Sequence, residues 1–453
     1  MSELINLVIL GASGDLTHRL LLPGLGTLLK GHRDLTINLI GAAADEWTDE
    51  HWREVVAKAL TDGGCSGDRM KPLIELSRYE RVDATSADDL GRLVSAPGRT
   101  VLYFALPPAV TMAACRALAG MDLPDELFLA IEKPFGTDAA SAHEFNRLLT
   151  QVAPEDHIFR IDHYLGKATV LNLLGLRFTN RIIEPVWNAD NIERIEIITD
   201  EALALEGRAG YYDKAGALKD MIQSHLLLVM AMLCMEGPAR IEAGELRDLQ
   251  LHVLRATRVW QGDPVTSTRR ARYVAGRIDG KDVPNYVDEP GVDAARNTET
   301  LAEVTVEVRN NRWAGVPIRL RSGKALGDGL RNISVVFKPL AYQPEGFRNP
   351  APQNVIAIGL APEYINVGLS TNAEGDKLDL ELSVLSTDLG ESAIRPYGEI
   401  LDHILRGDPL LSVRGDIAEE CWRIVTPVLD AWREGLVPMD EYRAGSTGPD
   451  SWT

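Results

Sequence analysis

The chain has 453 residues, 45% of them hydrophobic and 25% charged, and a formal net charge of -19. That length exceeds one ordinary domain and accommodates two or three, with enough apolar sequence for a large core. The negative field argues against general affinity for nucleic acid or anionic membrane surfaces, and admits a small anionic ligand only where Lys, Arg and His gather in one pocket.

The N-terminal MSELINLVILGASG has no basic leader region, and its apolar run fits a buried strand, so no secretory signal is expected. No stretch reaches the ~18 uninterrupted apolar residues of a membrane span. In chain order, INLVIL reads as a strand, 17–30 as a helix, LTINLIGA as a strand, and the segment from Trp52 to Leu60 as an amphipathic helix. RTVLYFAL, a helix after Pro108, ELFLAIEKP and a helix over Ala139–Val152 continue the alternation. Parallel neighbours need crossover helices, so residues 1–165 are expected to form a doubly wound parallel sheet.

After Lys167, NIERIEIITDE, ETLAEVTVEVRN, VPIRLRSGK, NVIAIGLA and KLDLELSVL follow one another as strand candidates. They predict an α+β domain over 166–453 with a large, mainly antiparallel sheet. A long apolar helix over 215–235 interrupts them, the polar stretch 261–297 reads as surface excursions, and the tail AGSTGPDSWT reads as loose. Cys65, Cys115, Cys234 and Cys421 are scattered without CxxC spacing, which predicts reduced thiols, a cytoplasmic setting and no metal site.

Chemistry concentrates in a few segments. GASGDL follows the first strand, with Gly11 and Gly14 where a Rossmann-like turn brings backbone N–H groups to a dinucleotide pyrophosphate. Ser13 and Leu16 stand where a GxGxxG pattern has its second and third glycines, and Ala12 and Asp15 complete the turn. An ordinary strand-to-helix turn is the alternative. The second strand ends in GAAADE over 41–46, with no Arg or Lys, and Asp45 and Glu46 serve either a ribose hydroxyl or the cap of the next helix.

RIDHYLGK, residues 160–167, packs a carboxylate, an imidazole, a phenol and two cations into eight positions. His163, Tyr164 and Lys167 together can donate several hydrogen bonds to one phosphate, and a salt-bridged domain junction is the alternative. EKPFG leaves Lys133 at a strand tip, where open α/β sheets bind ligands, while a turn-capping ion pair of Glu132 and Lys133 is the alternative that local sequence favours. His225 is the only imidazole in the apolar helix KDMIQSHLLLVMAML, read either as a satisfied core histidine or as a base titrating near the working pH. Asp220, five residues earlier, is not expected on the same helical face.

GASGDL, EKPFG, RIDHYLGK, EGRAGYYDKAGALKDMIQSH and NRWAGVPIRLRSGK, in this order and spanning the chain to about Lys338, resemble the glucose-6-phosphate dehydrogenase family. The resemblance implies oxidation of D-glucose 6-phosphate to 6-phosphoglucono-δ-lactone, a Rossmann-like coenzyme domain, then a substrate-binding and dimerisation domain. It makes His225 the general base and Asp162 the carboxylate that orients it, and gives the 6-phosphate to His163, Tyr164 and Lys167. Glu201 and Asp220 become sugar-hydroxyl ligands, Lys324 a further substrate ligand, and Lys133 a contact to both sugar and coenzyme. A homodimer is implied as well.

Three departures bear on specificity. Leu20 replaces a family lysine after GDL, Ala44 replaces the arginine that meets the NADP 2′-phosphate, and after RSGK only Arg331 stands near Gly329 and Leu330 to supply a cation. Loss of two cations facing a dianion lowers NADP affinity by roughly 1–3 kcal/mol per contact, so NAD is expected to serve at least as well as NADP. The altered segment after Lys324 leaves open another hexose 6-phosphate, such as glucosamine 6-phosphate. A catalytically silent nucleotide-binding homologue is the third possibility.

Overall fold

The computed structural model describes residues 4–31, 35–207, 209–390 and 392–452, so Arg208 of the EGRAGYYDK segment and the first three residues lie outside the description. The chain forms two compact units. The first takes Met1–Ala168, Pro238–Leu249 and Ser392–Trp422, and the second takes Thr169–Gly237, Gln250–Glu391 and Arg423–Thr453. A single boundary after residue 165 misses the two later segments that return to the first unit. Helix Pro396–Arg406 explains one return, because Tyr397, Ile400, Leu401 and Leu405 join the core that holds Leu7, Leu25, Leu39 and Trp52.

The sheet of the first unit contains β1 (Leu4–Leu10), β2 (Thr36–Ala43), β3 (Arg78–Arg81), β4 (Arg99–Phe104), β5 (Leu127–Glu132) and β6 (Ile158–Ile161). Its order is β6-β5-β4-β1-β2-β3, all parallel, with the short strand Ser412–Val413 added antiparallel to β6. Near-continuous burial of β1, β4 and β5 follows from helices covering both faces. The expected doubly wound sheet is present, with β3 as an addition.

The second unit is built on a ten-stranded sheet. Most of its pairs are antiparallel, but β7 (Ile192–Asp200) runs parallel to Ile318–Gly323, and Met439–Arg443 parallel to Thr268–Val274. Two expectations are corrected here. The stretch 261–297 contains the strand Thr268–Val274, whose Ala271 and Tyr273 are buried, and is not merely a surface excursion. The tail is tied down through Gly445 N–H to Ala325 O at 2.8 Å, Gly327 N–H to Ser446 O at 2.9 Å and Trp452 Nε1 to Asp440 at 2.7 Å.

The apolar helix extends over Ala209–Cys234 and is long and apolar enough to match a membrane span by composition. Its most apolar window is 83% buried inside the protein, as a core helix would be. Gly216 breaks it with φ +69°, and Leu218–Leu226 is wound as a π-helix before the α-helix resumes at Leu227.

Candidate active site

In the first unit, the turn after β1 is shaped by glycine. Gly11 has φ +85°, and a Cβ there would lie 2.2 Å from Ala105 O at the end of β4. The N–H groups of Gly11 and Ala12 go to Ala42 O at 2.8 and 3.2 Å, so these residues set the shape of the turn and pin it to β2. Gly14 N–H closes the turn on Gly11 O at 2.9 Å. Asp15 pairs with Arg19 at 3.2 Å on the surface, and Leu16 packs against the core. Thr17–Leu21, directly after, is π-helical, a winding often found at functional sites.

A cavity of about 570 Å³ opens beside this turn, lined among others by Ser13, Ala44, Asp45, Arg81 and Asp83. Ser13 Oγ donates to Asp45 at 2.5 Å. Arg81, from the end of β3, pairs with Glu46 and donates to Ala44 O at 3.2 Å. Hydrogen bonds from the Thr85 hydroxyl and N–H hold Asp83 below the usual carboxylate range. Sequence reasoning missed Arg81, because a strand of four mostly charged residues, RYER, carries no period-two signal.

Lys133 and the RIDHYLGK turn leave the carboxyl ends of β5 and β6. Asp162 is fully buried and accepts from Tyr164 N–H at 3.0 Å, which curls the turn, and Lys167 N–H closes on Tyr164 O at 3.1 Å. The Lys167 ammonium lies 4.4 Å from the centre of the Tyr164 ring, and the His163 ring is 5.2 Å from the same ring. Thus His163, Tyr164 and Lys167 are brought together as expected. Arg160 points elsewhere: fully buried, it pairs with Glu155 at 2.6 Å and bonds Asn146 at 2.9 Å. Glu132, beside Lys133, accepts from the buried Tyr103 hydroxyl, and burial pushes its carboxyl up to about 7.

In the second unit, register places the charged residues. β7 pairs in parallel with Ile318–Gly323, with Asp200 opposite Gly323, so Glu201 and Lys324 emerge side by side. Lys324 Nζ meets Glu201 Oε2 at 2.6 Å and lies 5.1 Å from the Tyr212 ring. Arg331 opens the antiparallel neighbour of β7 and reaches the other Glu201 oxygen at 3.5 Å. Beneath them burial raises Asp200 to about 6, although Arg321 pairs with it at 2.9 Å.

Asp220 and His225 both lie in the π-helical segment, and His225 is 3% exposed. Here the expectation that they occupy different faces is overturned. In a π-helix hydrogen bonds run from i to i+5, so residues five apart stack on neighbouring turns. Winding of this kind has no signature that periodicity in the sequence reveals. The start of the segment is fixed by Glu299, whose buried carboxylate accepts from Leu218 N–H at 2.9 Å. A Cβ on Gly216 would sit 2.3 Å from that carboxylate, which together with the positive φ explains the glycine. Among the described residues no group of three or more His, Cys, Asp or Glu is placed to hold a metal ion.

Comparison with known proteins agrees with this arrangement. Residues 8–172 match the family model for the glucose-6-phosphate dehydrogenase NAD binding domain, and residues 174–453 that for the C-terminal domain. Glucose-6-phosphate 1-dehydrogenase of Gluconobacter oxydans is 38% identical over 98% of this chain and 94% of that protein, and the Dickeya dadantii enzyme 35% over the same shares. A glucose-6-phosphate dehydrogenase solved with its substrate glucose-6-phosphate superposes with a TM-score of 0.88 at 29% identity, covering 100% of this chain and 96% of that one. Glucose-6-phosphate 1-dehydrogenase from Mycobacterium avium gives 0.84 at 32%, with the same coverage. With both halves of the chain matched, and with relatives this similar over nearly its full length, the protein belongs to the glucose-6-phosphate dehydrogenase family.

Proposed function

We propose that the chain oxidises the C1 hydroxyl of D-glucose 6-phosphate to 6-phosphoglucono-δ-lactone, using NAD⁺ at least as well as NADP⁺. The carrying observation is that GASGDL, EKPFG and RIDHYLGK all leave carboxyl ends of strands in one parallel sheet, where such sheets bind ligands. The turn leaves room for a dinucleotide in the cavity beside it, which Gly11, Ser13, Ala44 and Asp45 line. Gly11, Ala12, Ser13, Gly14, Asp15, Leu16 and Ala44 would hold it, and the bound coenzyme supplies the hydride acceptor.

The protein's own groups do the rest. His163, Tyr164 and Lys167 donate to the 6-phosphate, Glu201 and Asp220 accept from sugar hydroxyls, Lys324 donates to the sugar, and Lys133 serves sugar and coenzyme. His225 takes the C1 hydroxyl proton on a ring nitrogen as the hydride departs, and Asp162 orients it and steadies its charge, roles the family resemblance implies.

The NAD⁺ reading rests on the cavity wall. Asp45, held by Ser13, is the acceptor an unphosphorylated ribose needs, and Asp45, Asp83 and Asp89 on the wall repel a dianion, against the single cation Arg81, which pairs with Glu46 outside the lining. Four buried free thiols fit a reducing cytoplasm.

A homodimer is supported by the sheet edge. Strand Leu380–Asp388 has no buried residue and exposes Leu382, Val384 and Leu385, a surface that a second copy would cover.

Purified protein assayed with glucose 6-phosphate, glucosamine 6-phosphate and both coenzymes tests the reading. Poor turnover of glucose 6-phosphate relative to the amino sugar sinks the substrate assignment, and a strong NADP⁺ preference sinks the coenzyme assignment.

A further inference from the structure

Helix Pro396–Arg406 lies more than two hundred residues beyond RIDHYLGK, yet it belongs to the same unit and packs against that turn. Gly166 makes the approach possible, because a Cβ there would stand 2.6 Å from Pro396 O. The next residue, Tyr397, lays its ring nearly parallel to the His163 imidazole, with centroids 5.9 Å apart and planes 13° from each other. Its hydroxyl hydrogen-bonds the Glu132 carboxylate, which also accepts from Tyr103. Tyr103, Glu132, Tyr397 and His163 therefore form one continuous chain across the carboxyl ends of β4 and β5 and the turn after β6.

We propose that Tyr397 is a positioning residue for the phosphate-binding turn: its ring fixes the plane of the His163 imidazole, and its hydroxyl, anchored on Glu132, fixes the ring. An imidazole on a turn has two free side-chain torsions, and holding it ready for an anion removes an ordering cost from binding. The stack acts directly on His163, so its main influence falls on phosphate affinity. The inference rests on the reading of His163 as a phosphate ligand, and the test separates the two.

The experiment measures kcat, KM for glucose 6-phosphate, KM for NAD⁺ and the competitive inhibition constant of inorganic phosphate in wild type, Tyr397→Phe, Tyr397→Leu, His163→Ala and the Tyr397→Leu/His163→Ala double variant. Offset-stacked aromatic pairs contribute enough for a change of about 3- to 10-fold. Tyr397→Leu is expected to raise KM for the sugar phosphate and the phosphate inhibition constant by that factor, with kcat and KM for NAD⁺ unchanged within about twofold. Tyr397→Phe keeps the ring, loses only the anchor, and falls between wild type and Tyr397→Leu. In the His163→Ala background Tyr397→Leu adds nothing. An equal additional loss in that background, or a loss of kcat and of NAD⁺ affinity alongside phosphate affinity, overturns the inference while leaving the phosphate reading intact. An unchanged phosphate affinity in His163→Ala overturns the phosphate reading itself and the inference with it.

Discussion

Replacing Glu299 by Gln removes one buried ionisable group and keeps its hydrogen-bond acceptor for Leu218 N–H. Glu299 is 8% exposed, and burial raises its carboxyl from 4.5 to about 7 against the smaller lowering effects of the Leu218 N–H, Arg270 and Lys219. In the unfolded chain this carboxyl gives up its proton near 4.5, whereas the folded protein retains it until about 7. Across that window the folded state binds more protons, so stability is full below the unfolded value and falls as pH rises towards the folded one. At 1.36 kcal/mol per pKa unit the loss is roughly 3 kcal/mol, or roughly 6–12 °C in Tm at 2–4 °C per kcal/mol for a domain of this size. Glutamine has no proton to lose. Thermal unfolding of both proteins at pH 5 and pH 8 should therefore show the Tm of Glu299→Gln gaining on wild type by that amount at the higher pH. Asp200 and Glu132 shift in the same direction but are present in both proteins and cancel in the difference. A Tm gap that does not change with pH, or that moves the other way, refutes the argument.

Glu299→Ala, unlike the Gln variant, leaves the Leu218 N–H at the head of the π-helical segment without its acceptor, and should lower kcat about tenfold with little change in KM for NAD⁺ in steady-state assays. His225→Asn removes the proposed proton acceptor, and kcat should fall by about 10²–10⁴ while coenzyme affinity, measured by fluorescence titration, is retained. The Ala44→Arg/Asp45→Asn double variant adds a cation and removes a repelling carboxylate, so the ratio of kcat/KM for NADP⁺ to that for NAD⁺ should rise by about 10- to 100-fold. Leu385→Glu puts a charge on the bare sheet edge, and light scattering should report a shift from dimer towards monomer with the far-ultraviolet spectrum unchanged.

Much of the first unit is legible in sequence because each long strand is a short apolar run flanked by turn residues and followed by an amphipathic helix. β3 escapes that reading: in RYER only Tyr79 is buried, so four residues of paired backbone look like loop. Strand Thr268–Val274 escapes for a different reason. Its TRRARYV pattern looks solvated, yet Arg270 is 6% exposed and satisfies its guanidinium on Val437 O at 2.9 and 3.1 Å. The candidate site motifs were visible because they concentrate unlike polar groups, while their supports were not. Tyr397 and Glu299 have no local pattern at all, since their roles come from long-range contacts that only the fold supplies. The π winding around His225 is hidden for the same reason, and it changes which residues share a face.

The two units solve one electrostatic problem in the same way. A chain of net charge -19 must present cations to an anionic sugar, and isolated buried cations are expensive to desolvate. In the second unit Lys324 is 13% exposed and sits against both Glu201 and the face of Tyr212, while Arg331 shares the other Glu201 oxygen. In the first unit Lys167 lies over the face of Tyr164. An aromatic face offsets part of the desolvation of a cation without neutralising its charge, so the positive potential at that place is kept. In the proposed reading Glu201 has a double part: it pairs with Lys324 in the structure described and would offer its acceptor to a sugar hydroxyl once substrate arrives. A polyol phosphate uses both polarities of such a pair, which a ligand that is merely anionic does not.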